Sequence, residues 1–167
     1  FGAEMESWIE TQLHSTLPPT TVALAVVGLL STDVFLPIPS SVVSTVAGNA
    51  LGIWGGTAAA WAGMTAGAVI GYALAKLFGR PLAIRLSGAE EQERIDRLSR
   101  RFGPLVLVLA RPVPVLAEAS VLFLGTTRLG WTAFLLPVAL SNLGIAAVYA
   151  ALGQTVPLPY ALAASLA

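Results

Sequence analysis

Apolar runs and polar runs follow one another in long blocks along this chain, and prolines break the apolar blocks in two matching places. Residues 4 to 13 set Met5, Trp8, Ile9 and Leu13 at helical spacing opposite Glu4, Glu6 and Glu10, which predicts a short interfacial helix (1–17) ended by Pro18 and Pro19. Apart from Ser, Thr and Asp33, Thr20 to Phe35 is apolar. Its 16 residues fall short of the roughly 20 that cross a hydrocarbon core, so it either crosses with local thinning or enters part way. Pro37 and Pro39 stop any helix, because neither has a backbone N–H to donate, and Ser40 to Ala50 reads as a half-helix returning from the break. Residues 55–78 form the clearest span, with Gly55, Gly63, Gly67 and Gly71 as close-packing positions at helical spacing.

The polar block follows. In residues 79–103, Ser87 and Glu90 match a helix capping box, and Ile95, Leu98 and Phe102 form an apolar stripe among Arg94, Arg97, Arg100 and Arg101. That pattern fits a basic amphipathic helix on an anionic leaflet, or an ordinary solvated linker helix. Residues 104–128 hold a second break: Leu105 to Ala110 is too short to span and runs into Arg111, Pro112 and Pro114, and residues 115 to 125 lead back out. Residues 131–152 are a second span, anchored by Trp131 and Tyr149. Residues 155 to 167 are apolar and receive no assignment.

The two breaks echo each other. Pro37, Pro39, Gly48 and Trp54 correspond to Pro112, Pro114, Gly125 and Trp131, at an offset that grows from 75 to 77 residues. If the stretch between the copies crosses a bilayer, they enter from opposite sides, the mark of an inverted repeat. The fold expected is an all-α integral membrane protein of one domain (1–167), an inverted repeat with two proline-broken re-entrant helical hairpins plus transmembrane helices. The first half is placed at 20–54.

Composition sharpens the membrane reading. Hydrophobic residues make up 56% of the chain and charged ones only 11%, against roughly 25% charged in a soluble domain; mean hydropathy is +0.79. The formal net charge of zero conceals a bias, since seven of the nine Lys and Arg fall between Lys76 and Arg101. By the positive-inside rule that segment faces the cytoplasm, and a cytoplasmic N-terminus is favoured. With no Cys and the single His14 in a polar stretch, thiol catalysis and a multi-histidine metal site are both excluded. No basic segment, short apolar core and cleavage site follow Phe1, so no secretory signal is expected in these residues.

Inside the apolar stretches the charges reduce to Asp33, Arg111 and Glu118, with Arg128 nearer an edge. Each charge near a bilayer centre costs about 2.5 to 3.5 kcal/mol on insertion scales and calls for a reason. Broken helices also expose backbone amides at membrane depth, and their N-termini attract anions. With Arg111 as a guanidinium donor and Ser40 and Ser41 opening the first half-helix, the cavity expected here suits a phosphate or carboxylate head group. Asp33 and Glu118 are the candidate proton carriers. Other readings stay open: Arg111 could pair with Asp33 or Glu118 only to close the fold, and the two carboxylates could lie in interfacial water. Asn49, Ser141 and Asn142 read as interhelical hydrogen-bond glue. Gly48, Gly71 and Gly125 read as close-packing positions.

The segments DVFLPIPSS, AGNALG, GYALAKLFGR and FGPLVLVLARPVPVLAEASVLFLG, in that order, resemble the DedA family of bacterial membrane proteins in the VTT-domain superfamily, over about residues 30 to 153. The resemblance implies a multi-pass inner-membrane protein with two re-entrant segments meeting at the midplane. It implies proton-linked transport or flipping of lipids, with a polyprenyl phosphate carrier among the suggested substrates and phospholipid scrambling in relatives. Transferred by position, the essential acidic residue ahead of the first break is Asp33 and the arginine opening the second is Arg111. Ser41 stands where many members have a second acidic residue, and Ala117 where many have a second arginine. Glu118 beside it is then a carboxyl supplied from the other half.

The function expected is therefore proton-coupled transport of an anionic lipid, with membrane lipids and protons as partners. No cofactor, nucleic acid or enzymatic step is expected, and a homo-oligomer is left open. A phospholipid scramblase, a proton-driven ion or small-solute exchanger and a non-transporting scaffold for envelope assembly are the alternatives. An intramembrane hydrolase is disfavoured, because no serine with histidine, paired aspartates or ligand cluster appears at membrane depth.

Overall fold

The computed structural model describes residues 17–32, 39–111 and 113–161. The expected helix before Pro18, His14, Asp33, Pro37 and Pro112 lie outside the described residues, as does the side chain of Pro114. Almost every described residue is helical, and no strand occurs among them.

Helix α1 (Pro19–Ser31) starts with proline in its first turn, where the missing N–H costs no bond. Its 13 residues measure about 20 Å at 1.5 Å per residue, less than a hydrocarbon core. Helix α2 (Ser40–Leu74) joins the expected half-helix to the expected span, with one interruption at Gly52, where φ is 75° and ψ is 174°. Only glycine takes that conformation without strain. The turn there is sharp: a Cβ on Gly56 would lie 2.6 Å from the amide nitrogen of Gly48 and 2.8 Å from the carbonyl carbon of Ala47. The arms of α2 before and after Gly52 therefore touch through backbone.

A π-helical turn (Ala75–Gly79) ends α2 and leads into α3 (Arg80–Ser87). After Gly88, at φ 82°, α4 (Ala89–Leu109) runs unbroken through Gly103 and Pro104. The polar segment and the first arm of the second break are thus one helix. The expected capping box does not form: Gly88 precedes α4, and the Ser87 hydroxyl donates instead to the carbonyl of Ala83 at 2.8 Å. With its hydroxyl turned back into α3 and Gly88 in the capping position, Ser87 has no first-turn amide within its reach. Helices α5 (Pro114–Gly125) and α6 (Trp131–Thr155) complete the described order.

The second arm of α2 lies antiparallel to α6, so Ile53 meets Gln154 at one end and Tyr72 stacks on Phe134 at 3.8 Å at the other. Small residues set the approach. A Cβ on Gly48 would run into the backbone of Ala150, and one on Gly153 into the carbonyl of Thr45. Asn49 donates to the Gly153 carbonyl at 3.2 Å and Asn142 to the Thr65 hydroxyl at 3.2 Å, both between helices. Helix α1 closes on Gly63 and Gly67 through Leu30 and Ser31, Gly71 is buried, and Gly125 lies against Tyr72 and Ala75. Two apolar cores result. One joins α1, both arms of α2 and α6 around Leu30, Ala47, Ala60 and Ala146; the other joins α2, α4, α5 and α6 around Tyr72, Leu107, Leu124 and Phe134. Many large apolar side chains point outward, among them Leu24, Leu109, Leu136 and Val148. The helical run from Ser40 to Ser87, and α6, are by length and composition long and apolar enough to cross a membrane.

Candidate functional site

Of the polar residues singled out from the sequence, Ser40 and Ser41 open α2, Arg111 precedes α5 and Glu118 lies within α5. Pro39 stands immediately before α2 and Val113 immediately before α5. Neither side chain has an oxygen to accept a first-turn amide, so those N–H groups carry the positive end of each helix dipole toward the space beyond. Ser40 and Ser41 occupy the first turn of α2 and are half-buried. In the second break, the Arg111 amide bonds the Val108 carbonyl at 3.2 Å, and the Val113 amide bonds that of Ala110 at 3.2 Å. This tight turn places Arg111 half-buried, with its Nε and Nη2 nitrogens out of contact with solvent. Glu118 is half-buried in the second turn of α5. Ser41, Arg111 and Glu118 are each engaged by neighbours.

A second polar constellation, at the far end of α2, escaped the sequence reading. Asp96 of α4 is buried, with 4% of its side chain exposed, and it faces two arginines. Arg80 approaches as a fork, Nη2 to Oδ2 at 3.1 Å and Nη1 to Oδ1 at 3.4 Å. Arg128, in the α5–α6 connection, adds its backbone N–H to Oδ1 at 2.8 Å and its Nε to Oδ2 at 3.5 Å. Arg80 and Gln92 both donate to the Thr126 carbonyl at 3.1 Å. One turn before Arg80, Lys76 of the π-helical turn donates to the Leu129 carbonyl at 2.8 Å and to the Tyr72 hydroxyl at 3.1 Å, and that hydroxyl donates to Leu129 at 2.6 Å. Burial pushes the Asp96 carboxyl up, but hydrogen bonds from Arg80 and the Arg128 amide, with both guanidinium charges, outweigh it and hold the carboxyl below its ordinary value. Helices α3 and α4 and the α5–α6 connection are tied at this one carboxylate.

A signal for it was present in the sequence. The buried stripe of α4 is Gln92, Asp96, Ser99, Gly103 and Leu107, a helical repeat of mostly polar or small residues. The apolar stripe of Ile95, Leu98 and Phe102 faces the other way, with Leu98 55% exposed and Phe102 44%. Helix α4 is inside out relative to a helix of a soluble protein: it packs its polar stripe inward and offers its apolar stripe to the surroundings. Among the described residues, no group of His, Cys, Asp or Glu could hold a metal ion.

A family model for the VTT domain matches residues 38–155. The chain is also 29% identical over 117 residues to a protein of Bacillus subtilis (strain 168) named "Uncharacterized membrane protein YhjE", an alignment that covers 66% of this chain and 55% of the relative. The chain thus spans about half the length of that relative. No solved structure matches it. The match takes in both arms of α2, the Arg80–Asp96–Arg128 cluster, Arg111 and all of α6, and this chain belongs to the VTT-domain family, the DedA/SNARE-associated group of helical membrane proteins.

Proposed function

We propose that this protein is a proton-coupled transporter of the bacterial plasma membrane that moves an anionic lipid, a lipid phosphate such as a polyprenyl phosphate carrier, between leaflets. One observation carries the reading: α2 and α5 both begin directly after a proline-containing break, behind residues that cannot cap them, and Arg111 with two buried guanidinium nitrogens lies in one of those breaks. In this reading the breaks at Pro37 and Pro39 and at Pro112 and Pro114 are re-entrant hairpins of an inverted repeat. First-turn amides, Ser40, Ser41 and Arg111 hold the phosphate. Asp33 and Glu118 exchange the coupling protons, and loss of a proton from one releases the anion by like-charge repulsion. Membership of the VTT-domain family supports a membrane role of this kind.

Reconstitution of the purified chain into liposomes containing a fluorescent lipid phosphate tests the proposal, with leaflet exchange followed with and without an imposed pH gradient. Exchange that needs both the gradient and Arg111 is expected. Exchange by the folded Arg111→Ala protein at the wild-type rate refutes the role given to Arg111. Gradient-independent exchange makes the protein a scramblase, and no exchange of any lipid leaves the solute-exchanger and scaffold readings.

A further inference from the structure

The two short helices that follow the proline breaks each end in a turn held by a distant part of the chain, and the two holds differ in kind. The first arm of α2 (40–51) ends at Gly52, where the Ile53 amide donates to Gln154 Oε1 at 2.7 Å and the Asn49 side chain donates to the Gly153 carbonyl at 3.2 Å. Both bonds reach the end of α6, both join neutral groups, and Asn49 and Gln154 are exposed. Helix α5 ends at the α5–α6 connection. There Tyr72 and Lys76 donate to the Leu129 carbonyl, Arg80 donates to that of Thr126, and the Arg128 amide donates to the buried Asp96 carboxylate. Hydrogen bonds with an ionised partner are about twice as strong as neutral ones, so the second hold is the firmer.

Packing repeats the asymmetry. The buried face of the first arm is Ser44, Thr45, Ala47 and Gly48, and its closest approaches are backbone on backbone: Gly48 against Ala150 and Gly56, and Gly153 against Thr45. Helix surfaces without interdigitating large side chains can tilt or slide past one another, as in hinge and shear motions. Helix α5 instead buries Val121 and Leu124 in the core that contains the stacked Tyr72 and Phe134 rings. The turns differ as well, since Gly52 lies at φ 75° with a glycine's freedom to absorb a change, whereas no residue of the α5–α6 connection has positive φ. A buried hydroxyl completes the contrast. That of Ser44, on the first arm, has no hydrogen-bond partner among the described residues, while that of Ser120, on α5, donates to the Ala117 carbonyl at 2.7 Å. An unpaired buried hydroxyl favours any displacement that pairs it.

We propose that the first arm of α2 is the moving half-helix of this protein: it tilts about Gly52 when the bonds at Gln154 and Asn49 open, while α5 stays fixed at the Asp96 cluster. From Gly52 back to Ser40 the arm is about 18 Å long at 1.5 Å per residue, so a tilt of about 10° carries Ser40 and Ser41 by about 3 Å, the length of a hydrogen bond. In the transport reading, on which this consequence alone rests, Gln154 and Asn49 act as a latch that positions the serines holding the phosphate.

The chain contains no cysteine, so one introduced thiol reports on one helix. Ser44→Cys and Ser120→Cys are compared in the full chain in detergent, with alkylation by N-ethylmaleimide followed by intact mass. Ser44 is 0% exposed and Ser120 8%, so a rigid molecule labels Ser120→Cys first, and a moving first arm reverses that order. Adding Gln154→Ala should speed labelling of Ser44→Cys about fivefold, the equivalent of one hydrogen bond of about 1 kcal/mol, and leave Ser120→Cys unchanged. Hydrogen exchange of the unsubstituted chain makes the same comparison should Ser44→Cys not fold, and first-arm amides should exchange faster than those of α5. Faster labelling of Ser120→Cys, or an unchanged rate for Ser44→Cys with Gln154→Ala, overturns the proposal. So does equal acceleration of both thiols, which is loosening of the whole molecule, and so does equal protection of the two helices in hydrogen exchange. None of these readouts needs leaflet exchange: the expected labelling in a protein that moves no lipid refutes the transport reading and upholds the pivot, and lipid exchange with faster labelling of Ser120→Cys does the reverse.

Discussion

Replacing Asp96 with Ala would remove the acceptor for the Arg80 fork, for the Arg128 amide and for the Arg128 Nε in one step. Breaking a buried ion pair from one side costs about 3 to 5 kcal/mol, because the remaining charge is left desolvated. Two features favour the lower end. The Arg80 side chain is 19% exposed and keeps its bond to the Thr126 carbonyl, and Arg128 is 57% exposed, so water recovers much of its solvation. A loss of about 3 kcal/mol lowers the midpoint of a chain this size by roughly 6 to 12 °C, at 2 to 4 °C per kcal/mol. Asp96→Asn retains the shape and an oxygen for the Arg128 amide and should fall about halfway. The assay is thermal unfolding of detergent-solubilised protein followed by tryptophan fluorescence, with an Arg80→Met and Asp96→Ala cycle to isolate the pair. Because the folded carboxyl lies below its ordinary value, its stabilisation is complete above the ordinary carboxylate range and fades as pH falls through the folded value. The gap between wild type and Asp96→Ala should therefore hold from pH 8 to about 5 and begin to narrow only as pH falls below about 4, toward the lowered folded value. An Asp96→Ala protein melting within about 1 °C of wild type at pH 7 would refute the reasoning.

Other perturbations read the helix packing. Gly48→Ala pushes a methyl into the Ala150 backbone and should cost about 1 to 3 kcal/mol as overpacking, whereas Gly144→Ala, with nothing within 4 Å of its Cβ, should be neutral or stabilise by up to about 1 kcal/mol; paired melts in one detergent decide. Gln154→Ala removes the oxygen that accepts the Ile53 amide at 2.7 Å and should cost about 1 kcal/mol, and equal melting with wild type would show that this bond does not hold the break. Tyr72→Phe leaves the Leu129 carbonyl to Lys76 alone and should lower stability by about 1 kcal/mol with the ring stack intact, measurable in the same melt.

The helical and membrane character of this protein was legible in the chain itself. Blocks of apolar residues are local properties, and so are the prolines found at the starts of α2 and α5, whereas Pro104 and Pro137 are carried inside α4 and α6. Of the glycines read at helical spacing, Gly63 and Gly67 lie against the backbone of α1, while Gly55 meets only the Leu51 side chain, and the close approaches at Gly56 and Gly153 were not marked by that spacing. Local rules failed at residue 87, where a capping box was expected and Gly88 took the position instead. They failed more instructively at Asp96, which looks like one charge among many in a solvated polar segment. Its burial depends on Arg80 lying 16 residues earlier and Arg128 lying 32 residues later, distances across which no helical period reaches. The same holds for the reversal at Gly52, where the next amide, that of Ile53, is held by Gln154, 101 residues further along the chain. Sequence determined which segments are helices and which faces are apolar, since those follow from each residue's own transfer energy and backbone freedom. Only the tertiary structure decided which polar groups share an interior, because desolvation rewards a charge for finding a particular partner and that partner is set by how the helices pack.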